Sequence, residues 1–548
     1  MTGPSPIGPP SYSEPAAPSR LLRFRIPILL LILALHLSLA LHERGDLVDD
    51  AYISARYARN LVQGHGLTYN RGPGLERVEG YSNFLWVMLL AAGQAAGKSP
   101  QFISRTAGIL ANLVSIILVW LLVLRWSRSL PDPALTHFLD LAAALLLAVN
   151  LPFIIWTVSG LETPLFALEV ILAFLCFGQG YGRRYAAALV AFLAALTRPE
   201  GILVAAALVL GRLVVLIRYR QRPFLSDLKN LLVFLAPYLV YFSWRYFYFG
   251  HNFFPNSAYA KVDLGWAALC EGLFYLWSFL KWGNLPLVAL LGLGAYGLAR
   301  RPGHLLAAPA IFIGFYLLFI LAVGGDWMPD FRFFVHLMPL FIALAILGMA
   351  DLESPRPDPA VPAWRRYLPA KLAVLAMLGL SLFRYGAYEL KPSYDQDWHR
   401  HQGRYYLGMS RWVLQHVWRS ETVAAGDIGC LGYFSDVDRI VDSNGLVDRH
   451  LAQRPGLASL TADLDYLFEQ NPYCIVVMLH RYPGGEELGH SETDRALLAD
   501  PRLPERFRFR TELFGWDNLE LSRSDFKPRT SKVFFLLYTR RLEPGSYL

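Results

Sequence analysis

Charge is scarce in this sequence: 17% of its 548 residues are Asp, Glu, Lys or Arg, against about 25% in soluble globular proteins. With 54% hydrophobic residues and a mean hydropathy of +0.33, that scarcity excludes a soluble enzyme of this length and makes the bilayer the solvent. Cysteine is scarcer still. The four cysteines are far apart, with no CxxC or His-rich ligand spacing, which argues against a zinc site or a disulfide framework. Cys430 and Cys474 lie in the same polar region and could pair in an oxidising compartment. No basic domain accompanies the net charge of +8; the cations fall in short clusters between apolar runs, which fits membrane orientation and not nucleic acid. No internal repeat is evident, which weighs against a transporter built from duplicated halves.

Long apolar runs are what the sequence does have. The first, Leu21 to Leu41, can cross roughly 30 Å of hydrocarbon at about 1.5 Å per residue, and Leu41-His42-Glu43-Arg44 offers no small-residue cleavage site, so it reads as a retained span. Further runs are Phe102 to Leu124, Phe138 to Ile155, Leu161 to Phe177, Ala186 to Leu196, Ile202 to Ile217, Leu231 to Phe249, Leu285 to Leu298, Leu305 to Val323, Phe331 to Met349 and Leu368 to Phe383. The sequence therefore predicts a polytopic α-helical membrane protein with about eleven transmembrane helices. Residues 1–20, rich in Pro and Ser, read as a disordered cytoplasmic tail. Residues 21–386 read as the transmembrane domain with a first outer loop over 42–101, and 387–548 as an extracytoplasmic α/β domain.

Orientation follows from the arginines, which favour the cytoplasmic side of short loops. Every second connection is basic, from Arg20, Arg23 and Arg25 through Arg125 and Arg128, Arg183 and Arg184, Arg218 to Arg222, Arg300 and Arg301, to Arg365 and Arg366. The alternate connections carry Asp49-Asp50, SGLETP, TRPEG, HNFFPNSAYAK and GGDWMPDFR, and so belong outside. Counting Asn83 to Ala96 as a span would invert this pattern. It is expected to lie on the outer surface, as is Leu264 to Trp282.

The chemistry-bearing residues sit in those outside segments. Val48 to Gly66 reads as an amphipathic interfacial helix in which Asp50 is placed to cap and Asp49 to act as general base. Capping and dipole complementation by both aspartates is the bland alternative. Adjacent carboxylates also suit a divalent cation, although two ligands alone make no metal site. Glu79 and Tyr81 precede the surface helix, where anchoring is the competing role. Arg198, beside Glu200 at a proline break, either pairs with that glutamate or meets a lipid-linked phosphate. Arg332 and His336, four apart, suggest a phosphorylated headgroup, and Lys261 adds another outer cation. With Arg56, Glu162, Asp326 and Trp327 these form the donor- and acceptor-binding candidates. Trp398, Trp412, Trp418, Tyr433 and Trp516 could stack on sugars or fill a core.

Taken in order, DDAYISARYARNLVQGHG, RVEGYSNFLW, WTVSGLETPLFA, LTRPEG, FFPNSAYAK, GGDWMPDFR, GDIGCLGYFS and IVDSNGLVD resemble the mycobacterial terminal arabinofuranosyltransferases, polytopic glycosyltransferases of the GT-C fold. The resemblance runs from about Asp49 to Asp448. It implies a bacterial inner-membrane enzyme that takes a pentofuranose from a polyprenyl-phosphate donor, with no certain cofactor, to an envelope glycan, lipid or protein acceptor. It maps the catalytic acid pair onto Asp49 and Asp50. The competing readings are a transporter or flippase of lipid-linked sugars and a non-catalytic glycan-binding scaffold.

Overall fold

The computed structural model describes residues 20–127, 133–177, 181–220, 225–261, 265–281, 292, 307–352, 368–390, 394–454, 462–521 and 528–541. Among the described residues up to Leu390 the chain forms α1 (Arg20–His42), α2 (Asp49–Val62), α3 (Phe84–Ala95), α4 (Pro100–Ser127), α5 (Pro133–Ala148), α6 (Leu151–Thr157), α7 (Thr163–Phe177), α8 (Tyr181–Thr197), α9 (Ile202–Arg218), α10 (Leu225–Tyr248), α11 (Asn256–Lys261), α12 (Trp266–Phe279), α13 (Ala307–Ala322), α14 (Arg332–Val335), α15 (Met338–Leu352) and α16 (Leu368–Leu390), most of them on the apolar runs. Among the described residues five helices are long and apolar enough to cross a membrane, and α5 with α6 makes a sixth as a bent pair. The shorter apolar helices α7, α8, α13 and α15 occupy other expected spans. The expected span at Leu285 to Leu298 lies outside the described residues.

Two expected spans are broken. Phe138 to Ile155 divides into α5 and α6, bent by 56°. Asn150 accepts the Phe153 N–H at 3.2 Å, and Pro152, with no N–H to give, suits the first turn of the new helix. Phe331 to Met349 divides into α14 and α15, with Phe331 in the left-handed region at φ 52°. Inside the bundle, charge is tolerated where it is paired: the Arg25 guanidinium of α1 donates to Asp140 of α5, both buried.

After α17 (Tyr394–His416), the chain forms one six-stranded sheet. Its elements are β1 (Thr422–Ala425), α18 (Gly429–Phe434), β2 (Arg439–Asp442), α19 (Arg449–Ala452), α20 (Leu464–Glu469), β3 (Cys474–Arg481), β4 (Glu487–Gly489), α21 (Glu492–Ala499), α22 (Arg502–Arg506), β5 (Phe507–Leu521) and β6 (Pro528–Arg540). The order is β2-β1-β3-β6-β5, parallel over the first three strands and antiparallel from β3 onward. The uninterrupted run Cys474 to Leu479 is buried along its length, as a central strand covered on both faces must be. Cys430 and Cys474 are both buried free thiols, so the pairing considered from sequence does not form.

Candidate active site at the junction of the first loop and the C-terminal sheet

The α2 helix is the meeting point. It begins at Asp49, and Val48 is its N-cap with no side-chain cap, so the expectation that Asp50 caps the helix is corrected. Asp49 turns instead to another helix: its carboxylate accepts the N–H of Gly429 at 2.8 Å and of Cys430 at 2.7 Å, closing the first turn of α18 from outside. Burial, with repulsion from Asp427 second, pushes its pKa up to about 7. A Cβ at Gly429 would fall 1.9 Å from the Asp49 carbonyl oxygen, and one at Gly432 would fall 1.8 Å from the Tyr69 hydroxyl. Only glycine permits this approach, which accounts for the second and third glycines of GDIGCLGYFS.

Arg56 completes the joint. Fully buried, it donates to the carbonyls of Tyr69 and Val437 at 2.8 Å and to that of Gly432. Its donors are therefore spent within the protein and not on a substrate. Asn70 exchanges two bonds with Ile440, at 2.9 and 3.0 Å, which covers the free edge of β2. From the other side, the Asn256 amide donates to the carbonyls of Gly445, Leu446 and Asp448, at 2.6, 3.2 and 3.1 Å. FFPNSAYAK thereby grips the DSNG turn, which Asp442 shapes by accepting the N–H groups of Asn444 and Val447 at 2.9 Å each.

Asp50 takes no part in this lacework. Its side chain is 25% exposed and faces the Lys261 ammonium at 3.6 Å, with Lys261 itself 42% exposed. Asp427 accepts a hydrogen bond from Tyr406 and feels the charge of His490 first, then those of Asp50 and Lys261.

Most of the remaining candidates are engaged by neighbouring side chains, although the Tyr81 hydroxyl and His336 Nε2 are buried with no hydrogen-bond partner. Ser54 donates to Asn83 at 3.0 Å, Asn83 to Glu162 at 2.7 Å, and Arg198 to Glu162 and Glu200 at 2.5 Å each. One buried chain thus joins four of the sequence motifs, and its arginine is neutralised twice. Glu79 pairs with buried Arg245 at 2.7 Å, and Tyr81 packs edge-on against Tyr57. Arg332 donates twice to Asp326, at 2.6 and 3.1 Å, while His336 takes the Tyr316 hydroxyl as its neighbour at 2.5 Å. Those two residues, expected to act together, reach different partners. Trp327 is 62% exposed.

For the aromatic candidates, Trp412 stacks on His416, Tyr433 lies under the Arg59 guanidinium and Trp418 is exposed. The Trp398 and Trp516 side chains lie outside the described residues. Both Asp49 oxygens take backbone N–H groups, and among the described residues Asp49 and Asp50 belong to no cluster of three or more metal-ligating side chains. His42, Glu43 and Glu389 lie close enough for a metal, but the Arg400 guanidinium already neutralises both glutamates, at 3.0 and 2.6 Å. Sequence reasoning missed Asn83, Asn256 and Asp427, whose motifs it had quoted but whose contacts lie far away in sequence.

Comparison with known proteins agrees with this architecture. A family model described as a domain of unknown function, DUF8728, matches residues 394–529. The chain is 27% identical over 493 residues to the terminal β-(1→2)-arabinofuranosyltransferase of Mycobacterium tuberculosis, covering 81% of this chain and 68% of that protein. Its fold is similar to the crystal structure of ArnT from Cupriavidus metallidurans bound to undecaprenyl phosphate, with TM-score 0.55, 12% identity and coverage of 94% and 98% of the two chains. It is also similar to the archaeal oligosaccharyltransferase AglB from Archaeoglobus fulgidus, in complex with an inhibitory peptide and a dolichol-phosphate, with TM-score 0.50, 12% identity and coverage of 86% and 75%. The chain is a polytopic helical membrane protein with the GT-C fold of these structures, and its sequence is similar to that of the mycobacterial terminal arabinofuranosyltransferase.

Proposed function

We propose that this protein is a glycosyltransferase that moves a sugar, arabinofuranose by its resemblance, from a polyprenyl-phosphate to a hydroxyl group of an envelope acceptor. The reaction takes place on the outer face of a bacterial inner membrane. Asp50 is the general base. The observation that carries this choice is the division of labour in the acid pair. Asp49 is buried and committed to two N–H groups, while Asp50 is accessible and opposite a lysine.

In the transfer, the acceptor oxygen attacks the anomeric carbon as the bond from that carbon to the phosphate oxygen breaks. The hydroxyl proton passes to the Asp50 carboxylate, and the electron pair leaves with the lipid phosphate. Attack opposite the leaving group inverts the anomeric centre. Lys261 suits the growing charge on the phosphate, because Arg198 and Arg332 are already neutralised by carboxylates and Lys261 retains exposed surface. The lipid phosphates in the ArnT and AglB structures support a polyprenyl-phosphate donor.

The test is a panel of polyprenyl-phosphate sugars incubated with the purified full chain and a glycan acceptor, with and without chelator. Loss of sugar from one donor, abolished in Asp50→Asn, is the expected result. Full turnover by Asp50→Asn would remove the base assignment, and inertness toward every lipid-linked donor would remove the reaction.

A further inference from the structure

Asp50 and Lys261 belong to different segments, α2 and α11, and meet at 3.6 Å. Both segments are fastened to the C-terminal sheet, at neighbouring points. On one side Asp49, adjacent to Asp50, accepts the N–H groups of Gly429 and Cys430, which follow β1. On the other, Asn256 opens α11 and gives its side-chain amide to the carbonyls of Gly445, Leu446 and Asp448, which follow β2. β1 and β2 are parallel neighbours, paired from Thr422 with Arg439 to Ala425 with Asp442. Their carboxyl ends therefore emerge side by side, about 4.8 Å apart.

The two emerging segments also hold each other. The Ser443 N–H donates to the Ala425 carbonyl at 3.0 Å, and the Asn444 amide to the Gly426 carbonyl at 2.9 Å. A ring closes in this way: from Asp50 through Asp49 to the segment after β1, across Asn444 to the segment after β2, through Asn256 along α11 to Lys261, and back to Asp50. Asn256 has no surface to spare for a substrate. It is 1% exposed, its side-chain amide nitrogen serves three carbonyls, and its backbone N–H donates to the Glu79 carbonyl at 2.9 Å. Behind it, Arg245 pairs with Glu79 at 2.7 Å and donates to the Phe253 carbonyl at 2.9 Å, which fixes the approach to α11. Lys261 ends the helix that Asn256 begins, about 7.5 Å farther along its axis. A tilt of α11 at its first residue is therefore delivered to the ammonium.

We infer that Asn256 is a positioning residue for the transfer: by fixing α11 to the turn after β2, it sets the Lys261 ammonium opposite Asp50. The C-terminal sheet is then the template that spaces the pair, because two adjacent strands carry the fastening points of both segments. The inference rests on the proposed reaction, in which Asp50 takes the acceptor proton and Lys261 meets the departing phosphate. Misplacing a reacting group by about 1 Å costs about 100-fold in rate, so a small tilt of α11 is enough to be read in kcat.

The experiment is a double-mutant cycle on the purified full chain in lipid nanodiscs, with polyprenyl-phosphate arabinofuranose and a glycan acceptor. Asn256→Ala is expected to lower kcat about 10- to 100-fold in the wild type and less than about twofold in Lys261→Met. Asn444→Ala, which cuts the tie between the two emerging segments at a half-buried residue, repeats the test should Asn256→Ala fail to fold. A merely structural loss removes folded enzyme and lowers kcat equally in both backgrounds, which overturns the inference. Position is read independently of turnover by NMR of ¹³C-dimethylated lysines, the Lys261 signal being assigned by its absence in Lys261→Met. That signal should move in Asn256→Ala toward its position in Asp50→Asn; an unchanged signal overturns the inference. A shifted signal in a chain that transfers nothing keeps the positioning and sinks the reaction, while transfer with equal losses in both backgrounds sinks the positioning alone.

Discussion

Asp49 accepts the backbone N–H of Cys430 at 2.7 Å across 381 positions of sequence. With the companion bond from Gly429, it pins the first helix after the first span to the first helix of the C-terminal sheet. Its neighbour Asp50 is left accessible. Adjacent, chemically identical side chains thus meet different surroundings, because consecutive helical positions point about 100° apart.

Substituting the two should therefore give different phenotypes. Asp50→Asn is expected to lower kcat by roughly 10² to 10⁴ with an unchanged thermal midpoint. Asp49→Ala should cost about 1–3 kcal/mol by stranding buried N–H groups, seen as a lower midpoint and faster proteolysis of the C-terminal region. A stable, inactive Asp49→Ala would reverse the assignment.

Lys261 is 42% exposed and pairs with Asp50, so Lys261→Met should retain the fold and slow transfer by about 10- to 1000-fold, with Lys261→Arg recovering part of it. The useful readout is a series of donors differing in leaving-group acidity. If Lys261 stabilises the departing phosphate, the variant's rate depends more steeply on that acidity, and an unchanged slope would assign it to binding alone.

Gly432→Ala places a methyl group on the Tyr69 hydroxyl and beside Arg56. Neither neighbour can yield, since the hydroxyl bonds the Ile428 carbonyl at 2.5 Å and Arg56 holds three carbonyls. A loss of about 1–3 kcal/mol is expected, measurable as a fall in thermal midpoint; wild-type stability would show that the joint is looser than these contacts require.

Arg198→Ala strands Glu162 and Glu200 in a buried site and should cost about 3–5 kcal/mol. Arg198→Ala with Glu200→Gln should recover part of that stability without recovering it all, since Glu162 keeps its charge. A stable single variant that loses only donor affinity would return Arg198 to phosphate binding.

Burial raises both Asp49 and Asp442 from 3.8 to about 7. A carboxyl whose pKa rises on folding contributes stability that is fully present below its unfolded value and lost as pH rises through the folded one. Between about pH 4 and about pH 7 the thermal midpoint should fall more steeply in the wild type than in Asp49→Asn or Asp442→Asn, with the curves parallel above that. Curves that run parallel across that window as well would show that these carboxylates are already solvated.

Apolar length, arginine alternation and motif order were legible directly, because each is a property of consecutive residues. They gave a polytopic helical chain, a sheet-bearing C-terminal region and an acid pair at the start of α2. The break between α5 and α6 is also visible in retrospect in Asn150 and Pro152, although continuous hydropathy masked it. What no local pattern contains is partnership. That Arg56 clamps carbonyls from residues 69 to 437, and that Asp49 anchors while Asp50 stays accessible, depend on segments hundreds of positions apart. A side chain's chemical type is written in the sequence; whether its charge and hydrogen bonds remain available to a substrate is decided by which distant groups tertiary packing brings within about 3 Å of it.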